Sequence, residues 1–351
     1  MMVYETSPLV GRNGQGNIYE GARVAVLGAS GFIGRWVARA LCRHGADVYL
    51  IVRNKPAAED IFRHYDVTGT ICEADLCDFK LLRALFQEIR PSITFNLASY
   101  GVDPFETDIE DLELINRRLV KAVCQAIWDT RDPKWPGQQI VHAGSALEYG
   151  AISGNLAENS EPNPTTPYGR SKLAGTRSLT WGCAVYQIKG LTARLFTVYG
   201  PGEHARRLLP SLIESARTGK PLELTAGKQR RDFTYVEDVA AGLLRLGLAA
   251  PSIGGIVNLA TGHLTSVREF VEAAAVKLQI PPENLKFGLL ATRAEEMDHA
   301  EVAVGRLLQW TAWIPTTSID EGIGKTLEFE RTNNCRRIED ELAHASWRAH
   351  L

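Results

Sequence analysis

Several absences narrow what this chain can be. Its 351 residues contain no apolar run approaching the ~18 needed to cross a bilayer, and Met1 to Glu20 has no apolar core of the secretory kind. Cysteine is sparse: Cys42, Cys72, Cys77, Cys124, Cys183 and Cys335 form no Cys-x-x-Cys, and none stands at zinc-ligand spacing from a histidine. The histidines form no His-Glu-x-x-His. The cysteines therefore read as reduced, mostly buried thiols, with no metal and no disulfide. An excess of one charge is also missing. With 39 Lys plus Arg against 41 Asp plus Glu, the net charge of −2 gives no electrostatic reason to expect nucleic acid or an anionic membrane as partner. The expectation is a soluble, cytoplasmic protein without internal repeats. Its 45% apolar and 23% charged residues exclude disorder, collagen and coiled coil.

What is present is a rhythm. Arg23-Val-Ala-Val-Leu27 reads as a strand and runs into Gly28-Ala-Ser-Gly31-Phe-Ile-Gly34. A helix with Ile33, Val37 and Leu41 on one face follows, stopped by Gly45, and Asp47–Val52 reads as a second buried strand. The alternation continues with a helix over 79–89, a strand over 92–97, a long helix over 108–129, and a strand over 139–142. A helix over 168–182 and a strand over 191–195 complete it. Strands separated by helices imply an α/β fold, a doubly wound parallel Rossmann sheet covered on both faces. Beyond Gly200 the rhythm loosens into helices over 209–219, 236–248 and 266–278 and a strand over 256–259. The organisation expected is a flexible arm over 1–20, a dinucleotide-binding domain over 21–200, and a smaller substrate-binding lobe over 201–330. The lobe returns in part to the main sheet over 236–260, and a polar tail covers 331–351.

Three glycines between a strand and a helix suit a pyrophosphate. The backbone must turn tightly there and approach the phosphates, while the helix N-terminus supplies amide donors. An NAD site wants a carboxylate at the end of the second strand to accept from the ribose 2′-hydroxyl. Here Val52-Arg53-Asn54-Lys55 stand instead, and Arg35 follows the third glycine. A carboxylate would repel a 2′-phosphate and a guanidinium would bind it, so Arg53 favours NADP(H), with NAD(H) the alternative. Further on, Tyr168-Gly-Arg-Ser-Lys172 places a phenol and an ammonium one helical turn apart. The ammonium can lower the phenol's pKa, so that Tyr168 exchanges a proton with a sugar oxygen while hydride moves. Ser145, just past a strand, could hold the reacting carbonyl.

With these motifs the chain resembles the extended short-chain dehydrogenase/reductase family, in its nucleotide-sugar epimerase/dehydratase branch, over about residues 22–330. The resemblance rests on Gly28–Gly34, Asp75-Leu76, Asn96-Leu97-Ala98, Ser145 with Tyr149-Gly150, Tyr168/Lys172, Val198-Tyr-Gly-Pro-Gly202 and Arg231-Asp-Phe-Thr-Tyr-Val-Glu-Asp238. It implies Ser145, Tyr168 and Lys172 as catalytic residues. It implies a cofactor held by Gly28, Ser30, Gly31, Phe32, Ile33, Gly34, Asp75, Leu76, Leu97, Ala98, Ser99 and Asn116, together with Tyr168 and Lys172, to which the charge argument above adds Arg53. Ser145, Ala146, Thr197, Arg206 (or Arg207) and Arg231 would contact a nucleotide-diphosphate sugar, and pairing into a homodimer would use the helices near 108–129 and 168–182. An Arg231–Asp232 pair with a purely structural role is the alternative for Arg231.

The departures from the family pattern also matter. Dehydratases of the branch follow their Ser/Thr with an Asp-Glu pair. Ala146 and Leu147 stand there instead, and alternation along an extended strand would turn Glu148 to the opposite face. Thr197 replaces a common Asn, and the acidic stretch is altered around Asp298-His-Ala-Glu301. Arg117 and Arg118 read as solvated, and Trp310 and Trp313 as core packing. The leading expectation is an NADP(H)-dependent reductase of a nucleotide-linked 4-keto sugar. A nucleotide-sugar 4-epimerase is the alternative, followed by a non-catalytic nucleotide-binding protein.

Overall fold

The structure, a computed structural model, describes residues 17–102, 106–151, 155–250, 252–292 and 301–348, the last fifteen of them as helix backbone alone. The amino-terminal half alternates strand and helix: β1 (Arg23–Leu27), α1 (Phe32–Arg43), β2 (Asp47–Val52), α2 (Lys55–His64), β3 (Thr70–Glu73), α3 (Phe79–Ile89) and β4 (Ile93–Asn96). Next come α4 (Ile109–Glu113), a π turn (Leu114–Arg118), α5 (Leu119–Thr130), β5 (Ile140–Ser145), α6 (Pro167–Tyr186), β6 (Gly190–Leu195) and β7 (Thr197–Tyr199). The rest comprises α7 (Leu208–Thr218), β8 (Leu222–Leu224), β9 (Arg230–Tyr235), α8 (Val236–Gly247), β10 (Ile253–Leu259) and β11 (Leu264–Ser266). The chain closes with α9 (Val267–Leu278), β12 (Leu285–Phe287), α10 (Gly305–Thr311) and α11 (Ile319–Arg348). No helix of the described residues is long and apolar enough to cross a membrane.

Seven strands form one parallel sheet in the order β10-β6-β5-β4-β1-β2-β3. The period-2 alternation of β1 explains why both faces are covered. Val24 and Val26 enter one apolar core with α1 and α8, while Ala25 and Leu27 enter the other with α3, α5 and α6. The strand order reverses between β1 and β4, and the crevice at the carboxyl ends of such strands is where ligands bind in open α/β sheets. Two small sheets, β11-β9-β7 and β12-β8, stand beyond the main one.

The structure differs from the sequence reading in three places. The helix expected over 108–129 is interrupted: the Leu119 amide bonds the Leu114 carbonyl, five residues back, and the widened turn carries Asn116. Within the expected arm, residues 1–16 lie outside the described residues, but Tyr19 is fully buried and donates to the Leu244 carbonyl at 2.8 Å. In the expected polar tail, α11 continues through to Arg348. Asp298 to Ala300 lie outside the described residues. Of the five cysteines whose side chains are described, all free, Cys124 and Cys183 are buried and Cys42, Cys72 and Cys77 are half-buried.

Candidate active site

The glycine loop after β1 is shaped by contacts that a side chain would block. Gly28 has φ +75°, and a Cβ on it would lie 2.9 Å from the Ala98 amide nitrogen. A Cβ on Gly34 would overlap the Gly28 carbonyl, so the third glycine lets α1 close onto the loop. Gly31 caps α1 without any side-chain cap, and no acidic residue stands in the first turn. The first amides of α1 are thus left for an anion, so the residues present fit a dinucleotide pyrophosphate. Ser30, Phe32 and Ile33 complete the loop, the last two packing against the core. Arg35 folds back over it, donating to the Gly31 carbonyl from Nε and to the Ser30 carbonyl from Nη2, both at 3.0 Å, with its guanidinium 4.7 Å from the Tyr65 ring centre.

The end of β2 carries no carboxylate. Arg53 is exposed there, Asn54 caps α2 by accepting from the Ala57 amide, and the nearby Glu73 accepts from the Lys55 amide at 3.1 Å. Asp75 is exposed and turns its chain by accepting from the Cys77 amide at 2.9 Å, while Leu76 is buried. Leu97, Ala98 and Ser99 follow β4 and are half-buried at the same end of the sheet. Asn116 ties this edge to α6. Its Oδ1 accepts from Ser99 Oγ and the Tyr100 amide, and its Nδ2 donates to the Tyr100 carbonyl and Ser171 Oγ.

Pro167 opens α6 and Thr166 caps it by accepting from the Gly169 amide, which sets Tyr168 and Lys172 one turn apart in its first turns. Burial pushes the Tyr168 phenol up; a hydrogen bond with Ser99 and the Arg207 charge pull it down, while Glu148 and Glu106 push it further up. This balance is set by burial rather than by the ammonium invoked from spacing. Gly101 lies against the phenol, where a Cβ would come 3.0 Å from the tyrosine Cδ2. Lys172 is 2% exposed, and burial pulls its ammonium down to about 8 against the supporting charge of Glu148.

Ser145 ends β5, and the chain then turns through a single 3-10 turn at Ala146–Glu148. The alternation argument therefore does not hold for Glu148, because the strand has stopped. Its side chain is fully buried, accepting from the Ser145 amide at 2.9 Å, from Thr176 Oγ1 at 3.0 Å and from Arg194 Nε at 3.0 Å. The signal was present in the sequence: Ser145-x-x-Glu148 is a capping-box pattern. Arg194, the lone charge inside an otherwise uncharged buried strand, pointed to a buried partner.

Beyond β6, Thr197 opens β7, half-buried, and Arg206 and Arg207 are exposed ahead of α7. Glu203 was not foreseen. Its side chain is 6% exposed and lies 3.5 Å from Arg207 Nε, and burial raises its carboxyl to about 7 against the pull of Arg207. Arg231 lies on β9. Its neighbour Asp232 is buried and accepts from Thr234 Oγ1, the Thr261 amide and hydroxyl, and the Gly262 amide, so that carboxylate anchors the loop after β10.

Residues 24–260 match the family model described as the NAD dependent epimerase/dehydratase family. Two curated relatives align along nearly their full length. The dTDP-6-deoxy-L-talose 4-dehydrogenase (NAD(P)(+)) of Kitasatospora kifunensis is 28% identical, over 86% of this chain and 93% of that one. The UDP-glucose 4-epimerase of Mycolicibacterium smegmatis is 27% identical, over 89% and 99%. Among solved structures, MoeE5 in complex with UDP-glucuronic acid and NAD superposes with a TM-score of 0.75 at 26% identity, over 89% of this chain and 99% of that one.

Proposed function

The chain belongs to the NAD dependent epimerase/dehydratase family, and within it we propose that it reduces the 4-keto group of a nucleotide-linked sugar with NADP(H). As in its relatives, the enzyme class is a short-chain dehydrogenase/reductase type acting on nucleotide sugars. The observation that carries the finer reading is the end of β2, where exposed Arg53 takes the place of the NAD-selecting carboxylate. The relative that works as a 4-dehydrogenase with NAD(P)(+) supports it, since that reaction is this reduction run backwards. A nicotinamide dinucleotide, when bound, supplies the hydride.

The chain's own residues do the rest. Ser145 Oγ already accepts from the Leu147 amide at 3.2 Å, which leaves its hydrogen to donate to the C4 oxygen. Tyr168 passes its phenolic proton to that oxygen as the alkoxide forms. Lys172 stabilises the phenolate that results, and Asn116 fixes the Ser99–Tyr100 edge on which Tyr168 rests. Ala146 and Leu147 carry no acid/base group, and the carboxylate of Glu148 is buried against Thr176 and Arg194, so the Asp-Glu pair that follows the Ser/Thr in dehydratases has no counterpart after Ser145. Arg231, with Arg206 or Arg207, meets the substrate diphosphate.

The second reading is a 4-epimerase, favoured by the near-complete alignment with a UDP-glucose 4-epimerase and by NAD in MoeE5. It uses Ser145, Tyr168 and Lys172 in the same roles but needs a dinucleotide that stays bound. Fluorescence titration separates the two. The reductase predicts exchangeable NADPH bound at least ~1.4 kcal/mol more tightly than NADH, a tenfold preference, which Arg53→Ala abolishes. Retained NAD that resists exchange would establish the epimerase instead.

A further inference from the structure

We propose that Glu148 is a positioning residue of this site: the buried carboxylate that keeps Lys172 an ammonium where water is excluded and fixes Ser145 at the end of β5. The inference rests on the reading of Ser145, Tyr168 and Lys172 as the reacting set.

A buried ammonium is costly unless an opposite charge accompanies it. The titratable groups around Lys172 come from three elements and the turn after β5. Tyr168 lies one turn earlier on α6. His142 on β5 is fully buried and is held neutral by burial and by the charge of Lys172 itself. Arg194 on β6 is a second cation, 1% exposed. Of these groups and Glu148, Glu148 alone is an anion; its Oε2 accepts at 3.0 Å from Thr176 Oγ1, one turn beyond Lys172 on α6, and its charge sustains Lys172 against burial. Its position is fixed from three sides by the Ser145 amide, Thr176 and Arg194, whose guanidinium lies 4.3 Å from the Tyr149 ring centre. The backbone also makes room for it: a Cβ on Gly144 would come 2.6 Å from Glu148 Oε1. One carboxylate thus joins the serine's backbone to the charge state of the lysine.

A merely structural capping box and ion pair would look similar, so the test must separate charge from packing. Glu148→Gln keeps an acceptor for the Ser145 amide and removes the charge, but leaves Arg194 without its anion. The double change Glu148→Gln, Arg194→Gln removes both charges and restores a neutral core. Loss of the anion lowers the lysine pKa, so the alkaline limb of kcat should move down by about one pH unit in Glu148→Gln, and by less in the double variant, where a neighbouring cation has gone as well. Dinucleotide affinity, read by fluorescence, should begin to fall at the same lowered pH. The double variant should regain most of the thermal stability lost in the single one while its limb stays shifted. An unmoved limb and affinity profile in Glu148→Gln would overturn the proposal. Tyr168→Phe run in parallel keeps the two claims distinct: turnover surviving that change defeats the reading of the reacting set, whereas its loss beside an unmoved limb defeats only the role given to Glu148.

Discussion

At the scale of single residues, the site sets buried charges against one another. Tyr168→Phe removes the transferable proton but not the ring that Gly101 packs against, so turnover should fall at least ~100-fold, the low end of general acid–base contributions, while dinucleotide affinity stays within a few-fold. Single-turnover kinetics beside a binding titration checks this, and unchanged turnover would refute the role. Glu203 makes a prediction about stability. Its carboxyl sits at about 7 in the fold against 4.5 ordinarily, so between those pH values the folded chain holds a proton that the unfolded chain has released. The stabilisation is therefore full below about pH 4.5 and is lost as pH rises toward 7, by at most about 3 kcal/mol. Denaturant melts of Glu203→Gln should show less decline over that window than the parent protein. Equal slopes would contradict the assignment.

At the scale of elements, the loop between β1 and α1 tolerates little. Gly34→Ala would drive a methyl into the Gly28 carbonyl and lift α1 off the strand, so dinucleotide affinity should drop by at least tenfold with a lowered Tm. Calorimetry with and without NADPH reads both, and wild-type affinity would mean that α1 shifts freely. This loop was legible in the sequence because steric demands on glycine are local. The long buried strands and amphipathic helices were legible because their periodicity is. What escaped had weak patterns. α2 buries only Ala58 and Phe62, and β3 is a four-residue edge strand with no buried side chain, so neither left an apolar signature. The strands of the two small sheets span three to six residues and owe their pairing to distant partners. The π turn at Asn116 cannot be read from a helical period, since its cause is four hydrogen bonds to Ser99, Tyr100 and Ser171. In the site, Gly28, Tyr168 and Lys172 announced themselves by spacing. Glu148 was misplaced because its direction depends on where β5 stops, and Glu203 because its burial depends on the fold around it.

At the scale of the whole molecule, α5 and α6 present Trp128, Trp181 and Val185, about half exposed, on the outer face where a homodimer is proposed. The groove between these helices is also lined by Arg117, Lys121, Arg170 and Arg177, so a two-fold contact would bring like charges together. Such a dimer should tighten as salt screens them, and Trp181→Asp should yield monomers. Sedimentation across an ionic-strength series tests this, and a monomer at every salt concentration would remove the pairing face from the account. The reaction proposed for the trio on β5 and α6 is hydride transfer at C4 of a nucleotide-linked sugar, with the dinucleotide exchanging each turnover. The most direct measurement is to mix purified protein with NADPH and a nucleoside-diphosphate 4-keto-6-deoxy sugar, then follow cofactor absorbance while analysing the sugar. The reductase should oxidise one NADPH per 4-keto group reduced, with NADH at least tenfold less effective and no turnover in Tyr168→Phe. Inert NADPH, with C4 of a UDP-hexose inverted by protein that retains NAD, would contradict it.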